Sequence, residues 1–441
     1  MNSEDQAIAE AGPAAAPHQP GDWLGQPRGL IILFLTEMWE VFSFYGMRTM
    51  LVYYMTKQLM FAQETASLIY GFYSGSVYLT PIIGGYLADR YLGRRTAVLL
   101  GGSIMALGHF LLGFESLFYA ALATVAIGNG LFLPSLPAQI GGLYRAGDPR
   151  RGSAYNVYYA SKNLGAFIAP FVCGTLGELY GWHYGFGAAG VGMLIGVAIY
   201  AMGARYMPPD PIRQAAQSVA RTEDAGGRLP WGRIGLLIGV GLCVILYRSA
   251  NEQLGNTVAL WLDSGVDRAL GDRTIPMTWF QSLNPILVLA LTPVLIAFWT
   301  ASARRGREPS ALAKMAIGAG LAALGYLYLL LVVGNAAPAG ERSPWMWVMG
   351  FYFILTAAEL YVVPIGLGLF GRIAPSSRSA TVISLWYLTS FFGNVLAGVW
   401  GTFWSPLGPQ VFFAIPMAIA LVACLGLFVA SRLGKDIERA A

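Results

Sequence analysis

Residues 311–333 read ALAKMAIGAGLAALGYLYLLLVV, and Lys314 is the only charged side chain in this run. A bilayer core about 30 Å thick takes roughly 20 apolar residues at 1.5 Å of helical rise each. The run is therefore long enough to cross a membrane as one helix. The whole chain shares this character, since 56% of its 441 residues are hydrophobic and only 12% are charged. An ordinary soluble domain has about 25% charged residues, so the composition predicts an all-α membrane protein.

Twelve windows of this kind occur along the chain. They are 29–56, 66–88, 96–114, 118–142, 152–177, 184–205, 232–262, 279–300, 310–333, 345–370, 378–404 and 408–432. A polar stretch, 206–231, contains Pro208, Pro209 and Pro211 and divides the windows into two groups of six. We therefore expect twelve transmembrane helices in two six-helix bundles. The expected boundaries are a disordered cytoplasmic tail at 1–28, an N-terminal bundle at 29–205, a cytoplasmic linker at 206–231, a C-terminal bundle at 232–432 and a cytoplasmic tail at 433–441.

The basic residues are distributed unevenly between the two sides of these helices. The tails, the loops after even-numbered spans and the span ends beside them hold 21 Lys and Arg, whereas the opposite loops hold four: Lys57, Arg268, Arg273 and Arg342. Because cytoplasmic loops are enriched in Lys and Arg, both termini are expected in the cytoplasm, with the chain in the plasma (inner) membrane. The net charge of +5 is accounted for by this topology, so nucleic-acid binding is not expected.

Seven charged residues lie inside the spans and away from the span ends. They are Glu37, Glu40, Arg48, Lys162, Arg248, Glu252 and Glu359. A charge near the bilayer centre costs at least about 2.5–3.5 kcal/mol on insertion scales, so such residues are functional candidates by default. Two similar halves around a polar site at the membrane midplane are typical of a secondary transporter. We expect a transporter and not an enzyme, with structural interhelical pairing as the alternative role for the charges.

Several motifs surround these charges. The loop after span 2 reads Gly85-Tyr-Leu-Ala-Asp89-Arg90-Tyr-Leu-Gly93-Arg94-Arg95. The others are Glu37-Met-Trp-Glu40-Val41-Phe-Ser-Phe-Tyr45-Gly46-Met-Arg48, Tyr78-Leu-Thr-Pro81, Tyr158-Tyr159-Ala-Ser-Lys162-Asn163, Glu252-Gln253, Gln281-Ser-Leu-Asn284-Pro285, Glu359-Leu-Tyr-Val-Val-Pro364, Trp386 and Gly393-Asn394. The first resembles the loop motif of the major facilitator superfamily, with one extra residue before Gly93. Taken in order, the others resemble the proton-coupled oligopeptide transporter (POT) family from about residue 30 to about residue 400.

The resemblance implies the major facilitator fold and proton-coupled symport of di- and tripeptides by alternating access. It also implies a small peptide or peptide-like substrate and protons as the coupling ion, with no cofactor. The composition already indicates the lipid bilayer as a partner, and because the three Cys and three His are scattered, no metal site is expected. We expect the protein to function as a monomer.

The resemblance also implies roles for individual residues. Glu37 and Glu40 match the two acids of the ExxER motif, which is linked to proton coupling, and Glu252 is the next candidate for a proton site. Arg48 and Glu252 match a pair that gates the extracellular side, and Glu359 matches the acid that receives the peptide amine. The positions that match the lining of the peptide cavity are Tyr45, Tyr78, Asn163, Asn284 and Trp386.

The chain departs from the family pattern in three places. Val41 replaces the Arg of ExxER, Leu133 replaces a Lys in span 4, and the stretch 206–231 is too short for the two extra helices of many bacterial members. The two missing cations leave open a second function. That function is a proton-linked carrier or exporter of a modified peptide or another amine-bearing small molecule.

Two questions about the charges remain open at the level of sequence. Arg248 and Glu252 are spaced i, i+4 and can pair within one helix, so Arg48 and Arg248 compete for one carboxylate. Lys162 stands where the family motif usually has Ile, and it is a candidate partner for the peptide carboxylate. It points about 100° away from Asn163 on the helix, so an interhelical structural pair is the alternative. Arg248 is the second candidate for the carboxylate, unless Glu252 occupies it.

Overall fold

The computed structural model describes residues 22, 25–144, 148, 150–208, 231–336, 341–373 and 379–434. Most of the expected tails and linker lie outside these residues. Twelve long helices account for most of the described chain. They are α1 (Arg28–Lys57), α2 (Gln63–Leu87), α3 (Arg94–Leu111), α4 (Phe118–Ser135), α5 (Arg150–Ala169), α6 (Trp182–Gly203), α7 (Trp231–Asn251), α8 (Leu283–Arg304), α9 (Ala311–Ala336), α10 (Trp345–Ile373), α11 (Ser379–Gly401) and α12 (Ala414–Leu433).

Each long helix overlaps one of the twelve apolar windows. Nine helical segments of the described chain are long and apolar enough to cross a membrane. The other three long helices are α2, α3 and α5, which are less apolar; α5, for example, carries Arg150, Arg151 and Lys162. The prediction of an all-α membrane protein is thus confirmed.

The described apolar side chains form two large cores. The first is built mainly by α1–α6 and contains residues such as Met50, Tyr53 and Phe186. The second is built by α7–α12 and contains residues such as Tyr326 and Phe351. We name α1–α6 the N-terminal half and α7–α12 the C-terminal half, and we propose them as the two bundles with the boundaries expected from the sequence.

Several helices are interrupted where the sequence predicts continuous spans. The seventh window, 232–262, contains α7, a 3₁₀ turn at Glu252–Gly255 and a short helix at Thr257–Ser264. A Cβ on Gly255 would lie 1.8 Å from the hydroxyl oxygen of Tyr70, so the turn allows α2 to approach closely. In the fifth window, α5 ends at Ala169, and Pro170–Gly174 forms a π-helical turn before a short helix at Thr175–Tyr180.

The turn between α2 and α3 is formed by the loop motif of residues 85–95. Ala88–Leu92 forms a π-helical turn, and Gly93 adopts a φ of 78°, which lies in the left-handed region. Arg94 Nε lies 3.2 Å from Asp89 Oδ1 across this turn. A Cβ on Gly84 would lie 2.1 Å from the Gly130 carbonyl oxygen, so α2 and α4 pack backbone to backbone.

Helix α1 begins on one side of the bundle and ends on the other. We call the side where α1 begins the proximal side and the side where it ends, at Lys57, the distal side. The connections on the distal side carry four short strands: β1 (Val266–Asp267), β2 (Ala269–Leu270), β3 (Arg273–Thr274) and β4 (Ser343–Pro344). β1 pairs in parallel with β4, and β2 pairs antiparallel with β3 around Gly271. These strands brace the distal loops of the C-terminal half.

Candidate functional site

A polar cavity of about 110 Å³ lies where the two halves meet. Helices α1 and α2 contribute to it from the N-terminal half, and α7, α8 and α10 contribute from the C-terminal half. Its lining residues are Tyr45, Arg48, Tyr70, Tyr78, Arg248, Asn251, Glu252, Leu254, Gly255, Gln281, Asn284, Pro285, Tyr352 and Glu359. Seven of the twelve residues expected at the site from the sequence thus line one cavity.

An ion pair between the halves lies at the edge of this cavity. The Arg48 guanidinium, from α1, pairs with the Glu252 carboxylate, from the turn after α7, and both side chains are nearly buried. Two aromatic rings flank the guanidinium carbon, with the ring centres of Tyr45 at 5.8 Å and Tyr70 at 5.5 Å. The cation that pairs with Glu252 therefore comes from the opposite half of the protein.

Arg248 lies four residues before Glu252 but forms no ion pair with any residue that the structure describes. Its Nε is buried without a hydrogen-bond partner. The guanidinium carbon lies 5.7 Å from the ring centre of Trp386, a buried residue of α11. The alternative of a static pair between Arg248 and Glu252 is not what the structure shows, because Arg48 occupies that carboxylate.

Glu359 projects from the middle of α10 into the cavity. Asn284 Nδ2, from α8, donates a hydrogen bond to Glu359 Oε2 at 2.8 Å and another to Thr356 Oγ1 at 3.2 Å. No Lys or Arg nitrogen of the described chain lies within 4 Å of the Glu359 carboxylate. The amide therefore orients a carboxylate whose charge is left for another group to neutralise.

Lys162 lies outside the central cavity and bridges two helices of the N-terminal half. Its Nζ lies 2.9 Å from Glu37 Oε1, and the Glu37 side chain is completely buried. The two helices meet closely at this level, since a Cβ on Gly165 would lie 2.3 Å from the Met38 carbonyl oxygen. Glu40 is also buried and has no ion pair among the described residues. Lys162 thus supplies a cation beside the two acids of α1.

Two other expected residues lie near the cavity without lining it. Asn163 donates to the Tyr159 carbonyl of its own helix at 3.1 Å. Trp386 packs against Gly366, where a Cβ would lie 2.3 Å from the indole ring. Four polar residues of the lining were not expected at the site from the sequence: Tyr70, Asn251, Gln281 and Tyr352. Of these, Asn251 precedes Glu252, and Gln281 belongs to the motif that contains Asn284.

Polar contacts between the halves close the distal side. Glu178, of the N-terminal half, accepts the backbone N–H of Met277 at 3.0 Å and that of Thr278 at 2.9 Å. Further contacts across the same interface are Lys57 Nζ to Asp263 Oδ1 at 2.7 Å, Tyr53 Oη to Ala259 O at 2.9 Å, Ser67 Oγ to Asn256 Oδ1 at 2.8 Å and Gln63 Nε2 to Gly401 O at 2.9 Å. The described structure is therefore closed on the distal side of the cavity.

Comparisons with known proteins identify the family. The sequence matches the family described as "PTR2: POT family" over residues 95–222 and 233–407. It is 31% identical to the peptide transporter YePEPT of Yersinia enterocolitica over 86% of this chain and 88% of that one. It is 27% identical to the di-/tripeptide transporter of Lactococcus lactis over 92% of this chain and 95% of that one.

Solved structures give the same result for the fold. The crystal structure of a peptide transporter POT in complex with sulfate superposes with a TM-score of 0.85 at 27% identity, and it covers 99% of both chains. A POT family transporter in complex with 5-aminolevulinic acid superposes with a TM-score of 0.83 at 27% identity, over 95% of this chain and 98% of that one. The major facilitator fold expected from the loop motif is therefore confirmed. The chain is a multi-pass membrane transporter that belongs to the POT family.

Proposed function

We propose that this protein imports small peptides together with protons, by alternating access of the central cavity to the two sides of the membrane. The observation that carries the proposal is the partly buried Glu359 carboxylate, which faces the cavity with no cation of the described chain within 4 Å of it. Proton-coupled symport is the mechanism of the POT family. We further propose that the protein acts as a monomer in the inner membrane, with the proximal side and both termini in the cytoplasm.

The amino terminus of a peptide fits the Glu359 carboxylate. A buried charge is stable only when it is paired and hydrogen-bonded. Asn284 supplies one hydrogen bond at 2.8 Å, and the ammonium group of a substrate would supply the opposite charge. A charge-assisted hydrogen bond of this kind is about twice as strong as a neutral one. The site therefore favours substrates that carry a free amine.

The ion pair between Arg48 and Glu252 suits the role of a gate. It joins α1 of the N-terminal half to the end of α7 in the C-terminal half, on the distal side of Glu359. Opening of the distal side requires the halves to separate, so the pair must break in each transport cycle. A proton on Glu252 would release Arg48, and two arrangements of this kind are what alternating access requires.

The proton path is proposed to include Glu37 and Glu40. Both are buried in α1, one beside Lys162 and the other without an ion pair in the described residues. Each proton that enters with the gradient supplies about 2.3 kcal/mol per 100 mV and about 1.4 kcal/mol per pH unit. One proton per substrate is then enough for roughly a hundredfold accumulation of a small solute.

Uptake by proteoliposomes tests the proposal. Wild-type protein should accumulate dialanine when the outside is acidic and the inside negative, and N-acetyl-dialanine should not compete. Glu359→Gln should lose the preference for the free amine, whereas the control Glu308→Gln, an exposed acid outside the cavity, should keep it. A Glu359→Gln variant that binds dialanine and its N-acetyl form with the same affinities as the wild type would overturn the role of Glu359.

A second candidate function is a proton-linked carrier or exporter of an amine-bearing compound without a free carboxylate. The observation that favours it is Leu133, which stands where the family motif has a lysine. Competition of labelled dialanine by its C-terminal amide and by simple amines, in the same proteoliposomes, decides between the two functions. A wild type that ignores dialanine but accumulates amines would support the second.

A further inference from the structure

We propose that Arg248 binds the carboxylate of the substrate, so that the C-terminal half alone holds both charges of a zwitterion. This inference rests on the proposed function and adds to it the second contact of the substrate. Arg248 stands on the last turn of α7, and Glu359 stands on α10. Both side chains line the same cavity.

The charge of Arg248 is buried and available. Only 9% of the residue is exposed. Its Nε lacks a hydrogen-bond partner, and no carboxylate of the described chain lies within 4 Å of its nitrogen atoms. Leaving a buried guanidinium unpaired is costly, and a ligand that supplies an anion removes that cost.

The nearest acid in the sequence cannot serve Arg248 in this arrangement. Glu252 is four residues further on, the spacing at which side chains pair on an α-helix. The α-helix ends at Asn251, however, and a 3₁₀ turn begins at Glu252. The Glu252 carboxylate is taken up by Arg48 from the other half. The closed distal side therefore leaves Arg248 free for the substrate.

The surroundings hold the Arg248 side chain in position. Its guanidinium carbon lies 5.7 Å from the ring centre of Trp386, a distance at which a cation interacts with an aromatic face. A Cβ on Gly393 would lie 2.6 Å from the Arg248 Cβ, so α11 packs directly against the base of the side chain. A preorganised guanidinium binds a carboxylate through two parallel hydrogen bonds.

The other candidate cations are engaged elsewhere. Lys162 Nζ lies 2.9 Å from Glu37 Oε1, between α5 and α1, and Arg48 is paired with Glu252. Arg248 is therefore the cation in the described cavity lining that remains for an anion. The substrate class that follows is a zwitterion with a free amine and a free carboxylate, and its two ends move with one half during transport.

Binding of dialanine and of its C-terminal amide, measured on purified full-length protein by calorimetry, tests the proposal. The wild type should prefer the free acid by at least 10-fold. Arg248→Gln should weaken binding of the acid by roughly 10- to 100-fold, the range of a charged hydrogen bond, and should change binding of the amide less than threefold. Arg248→Lys should recover part of the preference. Arg432→Gln, at the proximal end of α12 beside Phe428, should match the wild type.

Two outcomes would overturn the role of Arg248 alone, and a third would overturn the proposed function as well. A wild type that binds acid and amide equally overturns the role of Arg248 without the need for any variant. Retention of the full preference for the acid in Arg248→Gln has the same effect, provided that dialanine still binds. Absence of dialanine binding and uptake by the wild type overturns the proposed function, and the role of Arg248 falls with it.

Discussion

Removal of the cation beside Glu37 should destabilise the protein strongly, and removal of both charges should restore most of the loss. The relevant variants are Lys162→Met, Glu37→Gln and the double variant. Lys162 Nζ lies 2.9 Å from Glu37 Oε1, and the Glu37 side chain is completely buried. Lys162→Met therefore leaves a carboxylate inside the N-terminal half without its counter-charge.

The size of the destabilisation follows from the 2.9 Å distance between Lys162 Nζ and Glu37 Oε1. At an effective dielectric constant of 20, two unit charges 2.9 Å apart attract by about 6 kcal/mol. Loss of one partner of a buried pair typically costs about 3–5 kcal/mol, because the other charge stays buried. The Lys162 side chain is 34% exposed, so water screens part of the attraction. We therefore expect a loss of about 3 kcal/mol for Lys162→Met and a coupling energy of similar size.

The assay is the titration of sodium dodecyl sulfate into detergent-solubilised protein, which measures the free energy of unfolding. The control is the exposed pair Arg94 and Asp89 in the turn between α2 and α3, whose side chains are 33% and 56% exposed. The same cycle there should give a coupling of about 0–0.5 kcal/mol. A coupling below about 1 kcal/mol for Lys162 and Glu37 would refute the reasoning. A Lys162→Met variant as stable as the wild type would refute it as well.

Four further substitutions test the packing and the distal closure by the same unfolding assay. Gly165→Ala should lower the free energy of unfolding by about 1–3 kcal/mol, because the new Cβ would lie 2.3 Å from the Met38 carbonyl oxygen. The control is Gly152→Ala on the same helix, where the space around the Cβ is open. Its free energy of unfolding should stay within about 1 kcal/mol of the wild-type value. Tyr53→Phe removes a buried hydrogen bond between the halves and should cost about 1–2 kcal/mol. Lys57→Ala removes an exposed ion pair of the same interface and should lower the free energy of unfolding by less than about 1 kcal/mol. An equal loss in Tyr53→Phe and Lys57→Ala would contradict the distinction between buried and exposed contacts.

The helices and the family were predictable because they depend on local pattern. The apolar windows reflect bilayer thickness, and the charged residues stand out against an apolar background. The partner of Lys162 was not predictable in the same way. It depends on how α5 is rotated against α1, and that rotation is set by contact of Gly165 with the Met38 carbonyl. A sequence pattern gives the face of one helix but not the face that a neighbouring helix presents to it.

The competition for Glu252 shows a second limit of sequence reasoning. The i, i+4 spacing from Arg248 predicts a pair only if the helix continues through both residues. The α-helix ends at Asn251, and Gly255 in the following turn closely approaches Tyr70 of α2. The break thus coincides with a contact to a residue nearly two hundred positions earlier in the sequence. Contacts between the halves, and not local preference, decide which arginine holds the acid.

The contact of Glu178 with the opposite half makes the opening of the distal side measurable. Its carboxylate accepts the backbone N–H groups of Met277 and Thr278, which belong to the other half. An amide hydrogen exchanges with deuterium in the solvent only while its hydrogen bond is open. Deuterium uptake at these two amides therefore records the fraction of time that the distal side spends open. The opening of the distal side can therefore be followed without any attached label or added substrate.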